Sequence, residues 1–334
     1  NDGGSTPLHK AAYNGHLHQI PSELLTQDNL TIKNQKGNTP LHKAALGGHL
    51  DQIPQELLTQ ENLSIQNKKG YTPLQKAAYG GHLDQIPSLL LSLENITTKN
   101  KKGGTLLHNA ALNGDLDQIP QELLTKENLT KIKNERGNSP MHYAAKMGHL
   151  GQIPHDLLTQ ENLTIKNKEG DTPLHYAAHN GYLYQIPQEL LTHENLMIKN
   201  ENNETCLRCA VLSRNIVQIP QKLITEEDLT IKDEHGFTPL HFAALHGRLD
   251  RIPRELLTRE NLTLPDNYDE TPLHWAVETR TMPSPAEWMK LLRSTERIKD
   301  KLDTPKLPVE ARVTLGKALE LCRDMETRSA DTRR

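Results

Sequence analysis

Gly37-Asn38-Thr39-Pro40-Leu41-His42-Lys43-Ala44-Ala45-Leu46-Gly47-Gly48 is the stretch on which the fold turns. Gly37 admits the positive φ of a tight turn, Thr39 offers an N-cap oxygen, and Pro40 takes the first helical position, where its missing N–H is harmless. A helix therefore starts at about residue 40. Leu41, Ala44 and Ala45 share one face at i, i+3 and i+4, and the two alanines let a neighbouring helix come close. Gly48 closes the helix as a left-handed cap. A second apolar series, Leu50, Ile53, Leu57 and Leu58, follows at helical spacing, with Pro54 in the first turn of a second helix. Thr59-Gln60-Glu61-Asn62 reads as another capped turn before Leu63 and Ile65 lead out.

The phrase recurs. Copies begin at Thr6, Thr39, Thr72, Thr105, Ser139, Thr172, Thr205, Thr238 and Thr271, a step of 33 residues with one step of 34 where Lys131 is added. Nine copies of one supersecondary unit imply a stack in which each unit touches only its neighbours. Period and wording together resemble the ankyrin repeat over residues 1 to about 280. The resemblance implies an all-α solenoid of stacked helix pairs with β-hairpin fingers and a signature histidine bridging neighbouring repeats. It also implies a non-enzymatic protein-binding scaffold that needs no cofactor. The chain departs from the family in its recurring Ile-Pro-x-Glu-Leu-Leu-Thr-x-Glu-Asn-Leu, so the second helix is expected to be shifted or shortened, with an extra turn after it.

Beyond the array, residues 281–328 read as C-terminal capping helices and 329–334 as a disordered tail. The chain opens inside a finger, so the first repeat is incomplete and more chain is expected upstream. The alternative function is therefore the targeting or regulatory arm of a larger enzyme or effector.

Composition agrees with a thin core of Leu, Ile and Ala: 35% of residues are hydrophobic and 4% aromatic. No run of about 18 apolar residues is present to cross a membrane. A net charge of −3 lacks the basic footprint of a nucleic-acid binder. Cys206 and Cys209 form a C-x-x-C, but they fill two positions of the seventh phrase, which favours plain substitution over redox or zinc chemistry. With Cys322 they make no disulfide framework, which points to a reducing, cytoplasmic compartment, a host-directed effector being the other placement. His9, His42, His108, His142, His175, His241 and His274 are the signature histidine, and His16, His49, His82 and His149 a second recurring one. Equivalent positions lie a repeat apart and cannot converge on one metal ion. The acceptor-like tripeptides at Asn29, Asn62, Asn95, Asn128, Asn162 and Asn261 are the connecting turn itself. The seventh phrase is degenerate, with Asn203 for the turn glycine and Arg208 for the histidine, and Asp269 replaces the turn glycine of the ninth.

Function is sought in positions the scaffold does not need. The residue after the signature histidine runs Lys10, Lys43, Lys76, Asn109, Tyr143, Tyr176, Cys209, Phe242, Trp275. Drift among repeats is the plain reading of this series; the functional one is a groove basic at one end and aromatic at the other. Tyr13, Tyr79 and Met147, near the helix ends, add apolar anchors. Lys36, Lys69 and Lys102 at the finger tips extend the basic end. The expected partner is a protein or peptide with an acidic segment and apolar anchors. Homotypic assembly through the first repeat is left open.

Overall fold

The computed structural model describes residues 3–213, 215–233 and 235–278; the expected capping helices and tail lie outside these residues. The chain falls into two units, Asn1–Leu190 and Leu191–Arg334. The first holds signature helices Pro7–Asn14, Pro40–Gly47, Pro73–Gly80, Leu106–Asn113, Pro140–Met147 and Pro173–Asn180, and the second holds Cys206–Leu212, Pro239–Leu245 and Pro272–Glu278. Within each unit, successive signature helices pack side by side. In the second of these helices the paired alanines Ala44 and Ala45 are fully buried, as are Leu41 and, just beyond the helix, Leu50.

The signature helix begins and ends where its residues dictate. Thr39 accepts the His42 N–H at 3.3 Å, the His42 ring Nδ1 accepts the Thr39 N–H at 3.1 Å, and Pro40 opens the helix. Gly48 ends it at φ 74°, where a Cβ would stand 2.7 Å from the His82 ring. The finger before it is a closed turn: Asn34 Oδ1 accepts from the Lys36 and Asn38 N–H groups, each at 3.0 Å. Neighbouring fingers join through single backbone bonds, from Lys68 N–H to Lys36 C=O (3.1 Å) and from Lys101 N–H to Lys69 C=O (3.0 Å). The fingers are thus turns stacked on turns; among the described residues no strand forms, and one isolated bridge links Lys199 and Thr205. Asn203 and Asp269 take the positive φ of the glycines they replace, at 58° and 60°.

The second half of the repeat corrects the sequence reading. Leu50 to Leu58 is not a helix but two 3-10 turns, Leu50–Gln52 and Gln55–Leu57. The residue before a proline is pushed out of the helical region, and Ile53 accordingly sits at φ −89°, ψ 134°. Pro54 therefore separates two turns instead of opening one helix. A four-residue helix, Gln60–Leu63, capped by Thr59, completes the unit. Helix-like apolar spacing survives because Leu50 and Ile53 are buried while Leu57 and Leu58 are partly so.

Broken helices leave N–H groups to satisfy, and a glutamine of the next repeat does so. Gln85 Oε1 accepts the Leu50 N–H at 3.0 Å while its Nε2 donates to the Gly48 carbonyl at 2.7 Å. Gln185 does the same for Leu150 and Gly148, at 2.9 and 2.6 Å. The connecting-turn asparagines are likewise committed: Asn62 and Asn162 are buried, and their side-chain amides donate to the Leu57 and Leu157 carbonyls. The residue added at Lys131 is absorbed as a π-helical turn, Glu127–Lys131, which keeps the fingers on either side in register.

The signature histidines His9, His42, His108, His142 and His241 bridge to the next repeat, as the resemblance implies. His42 Nε2–H donates to the Tyr71 carbonyl at 2.9 Å and His108 to that of Asn138 at 3.0 Å. Burial pushes His42, His108 and His142 down to about 4, against the weaker opposing pull of those carbonyl bonds. The unfolded chain protonates each ring near pH 6.5 and the folded one near 4, so their contribution is intact above pH 6.5 and is lost as pH falls toward 4. The melting temperature should therefore drop between pH 7 and 4.5. Gln75 already fills this position in the third repeat, bonding Thr72 and the Thr98 carbonyl. A His42→Gln, His108→Gln, His142→Gln variant should accordingly show a shallower drop; an unchanged profile would contradict the assignment.

Candidate protein-binding surface

In the first unit the residue after the signature histidine lies half-exposed on the helix, beside the fingers. Lys43, Lys76, Tyr143 and Tyr176 are all of this kind, and Lys10 is exposed. The lysines do not form a bare basic patch. Lys43 Nζ lies 5.3 Å from the Tyr13 ring centroid; Lys76 Nζ lies 4.2 Å from that of Tyr71 and 5.3 Å from that of Tyr79. Lys146 Nζ stands 5.6 Å over Tyr176. Such cation–π contacts are worth roughly 0.5–2 kcal/mol, the larger values where water is excluded. Lysines of the ladder and of the helix ends thus lie over rings from neighbouring columns.

This stacking has an electrostatic cost. Desolvation lowers the Lys76 pKa, with Lys69 and Lys43 pushing the same way. Desolvation also raises Tyr71, with Tyr79 and Tyr143 adding to it. A partly dehydrated ammonium crowded by like charges gains most from an incoming anion. The finger-tip lysines Lys36, Lys69 and Lys102 are exposed, and the tip-to-tip backbone bonds set them in a row.

Tyr143 and Tyr176 do a second job. The Tyr143 hydroxyl accepts from Asn134 at 3.1 Å and the Tyr176 hydroxyl from Asn167 at 3.3 Å. Their rings meet His108 and His142 edge-on, at 5.7 and 6.1 Å. They brace finger against helix as well as offering a surface. Tyr13, Tyr79 and Met147 are exposed, at 48%, 50% and 40%.

The second unit has its own aromatic site. Phe242 and Trp275 lie 5.9 Å apart, and Phe237, which sequence reading passed over, sits 4.8 Å from Trp275 and 5.8 Å from Phe242. Tyr268 adds an exposed ring 6.2 Å from Phe237. The signal lay in another column: Tyr71 and Phe237 both follow the turn glycine, where the backbone carbonyl takes the bridge from the preceding repeat. Cys209, at the ladder position, is buried and adds no exposed group. Cys206 is buried as well, and no disulfide joins the two.

Arg208 takes the place of the signature histidine here. It donates to the Phe237 carbonyl at 3.2 Å, pairs with Asp233 at 2.5 Å, and lies 4.7 Å over the Phe242 ring. Asp233 stands where the six fingers before it, from Asn34 to Asn200, have asparagine, and it still accepts the turn N–H groups of His235 and Phe237, as Asp266 does in the finger after it. The two substitutions are one device, since Asp233 and Arg208 are both buried and each neutralises the other. Among the described residues no group of His, Cys, Asp and Glu could hold a metal, and no helix is long and apolar enough to cross a membrane.

A family model described as ankyrin repeats in three copies matches residues 8–99, 52–117, 86–154, 153–233 and 218–298. No curated protein matches the chain.

Arg208→Ala should cost about 3–5 kcal/mol in urea unfolding, because it strands the buried Asp233 carboxylate. Arg208→His with Asp233→Asn restores the common pair and should recover most of that loss. A loss under about 1 kcal/mol for the single variant would show the pair to be incidental.

Proposed function

The chain belongs to the ankyrin-repeat family, whose repeats are generally protein–protein interaction modules, and we propose from that premise that it is a non-enzymatic scaffold for a protein or peptide partner. The partner carries an acidic segment punctuated by apolar side chains. The carrying observation is the lysine–tyrosine face of the first unit, where Lys43 and Lys76 lie over Tyr13, Tyr71 and Tyr79. Carboxylates meet the ammonium groups, and apolar side chains lie on the exposed ring edges between them. Half-buried rings supply large contact area at low entropic cost, and the crowded lysines supply long-range steering. The aromatic cluster of Phe237, Phe242 and Trp275 offers a site for apolar anchors in the second unit. A cytoplasmic setting suits this reading.

Labelled peptide pools with acidic residues alternating with leucine test it by fluorescence anisotropy. Lys43→Glu with Lys76→Glu should weaken binding roughly tenfold or more, and added salt should weaken the wild type in the same direction. Affinity unchanged in that variant, with the fold intact by circular dichroism, would remove this face from consideration.

A further inference from the structure

Two hollows in the first unit are built from equivalent positions and differ sharply in size. The first is a cleft of about 550 Å³ whose lining includes Gly3, Ser5, His9, Lys10, Tyr13 and Lys43, together with Lys36 from the next finger. The second, of about 40 Å³, is lined by Arg136, Asn138, His142, Tyr143, Lys146 and Tyr176. Each residue of the second stands 133 positions after its counterpart in the first. The reason for the difference is chemical. Tyr143 and Tyr176 fill the angle between finger and helix and tie their hydroxyls to Asn134 and Asn167. Lys10 and Lys43 stand in their places, and Gly3 replaces the long Arg136, so the angle stays open.

The open cleft has a consistent charge. Lys10, Lys36 and Lys43 line it, and none of its described lining residues carries a carboxylate. His9 adds no charge at neutral pH: its Nε2 bonds the Asn38 carbonyl at 2.8 Å, its Nδ1 meets Thr6, and burial lowers its pKa. Lys43 is steadied over the Tyr13 ring. Hydroxyl donors stand among the ammonium groups at Ser5 and Tyr13.

We propose that this cleft binds the phosphate of a phosphoserine or phosphothreonine in an extended partner segment, the neighbouring lysine–tyrosine face holding the flanking acidic residues. The proposal rests on the acidic-partner reading above. The two charges of Lys36 and Lys43 are better balanced by a phosphate, which carries nearly two charges and three strong acceptor oxygens, than by a single carboxylate. A polynucleotide is the poorer fit, because the chain as a whole carries a net charge of −3.

The test titrates the full chain against three labelled degenerate peptide pools that differ only at the central residue: phosphoserine, serine or glutamate. The phosphoserine pool should bind roughly tenfold tighter than the serine pool, with glutamate between them. Lys36→Gln with Lys43→Gln should bring the phosphoserine-to-serine ratio close to one, whereas Lys76→Glu, outside the cleft, should weaken all pools together and leave the ratio standing. Equal binding of the three pools overturns the phosphate site while leaving the acidic-partner reading in place. A phosphoserine preference that survives the double glutamine variant also overturns it. No binding by any pool overturns both readings, and tighter binding of a labelled oligothymidine than of the phosphoserine pool transfers the cleft to nucleic acid.

Discussion

The hydrogen bond from a neutral histidine ring to the carbonyl of the next finger is the constraint from which much of the architecture follows. His42 reaches back to cap its own helix through Nδ1 and forward to Tyr71 through Nε2. One ring thus sets the helix start, the finger position and the spacing to the neighbouring repeat. Of its substitutes, Arg208 keeps the forward bond through its guanidinium, to the Phe237 carbonyl, while the Gln75 amide turns to the Thr98 carbonyl of its own repeat. Because the bond places each finger against the next, it also places the tip lysines in a row and sets the rings of Tyr71 and Phe237 beside the helix that follows each, where Lys76 and Phe242 meet them.

A second constraint comes from proline. The Ile-Pro pair forbids a continuous second helix and leaves two 3-10 turns, the first of which has its leading N–H, at Leu50, met by a glutamine one repeat on. A short-range restriction in one repeat is therefore compensated by a long-range bond from the next, and no repeat is self-sufficient. The binding face is the other side of this arrangement. Lys76 on its signature helix is partly dehydrated, which destabilises its ammonium and lowers its pKa, so an incoming anion is favoured beside it.

Much of this was legible in the sequence. The Thr39 cap, the helix start at Pro40, the left-handed Gly48 and the array itself follow from residue chemistry at single positions. The second half was misread because apolar spacing of three and four is satisfied equally by a helix and by two tight turns; only the backbone restriction before Pro54 separates them. Lys131 showed that a residue had been inserted, but where it was absorbed depended on which turn could widen. The ladder after the histidine was found as a column, yet its chemistry is set across columns, since Lys76 meets Tyr71 from its own finger and Tyr79 from its own helix end. Arg208 and Asp233, 25 residues apart, are likewise a degenerate repeat when read singly and a repaired one when read together.

Hydrogen–deuterium exchange with a bound acidic peptide tests the central claim most directly, because it locates the partner without assuming its sequence. Protection is expected on the first unit's fingers and signature helices, around residues 34–43 and 67–80, with the 3-10 turns on the far side of each repeat unchanged. Protection centred instead on Gln55–Leu57 and its counterparts, with the fingers still exchanging freely, would contradict the account.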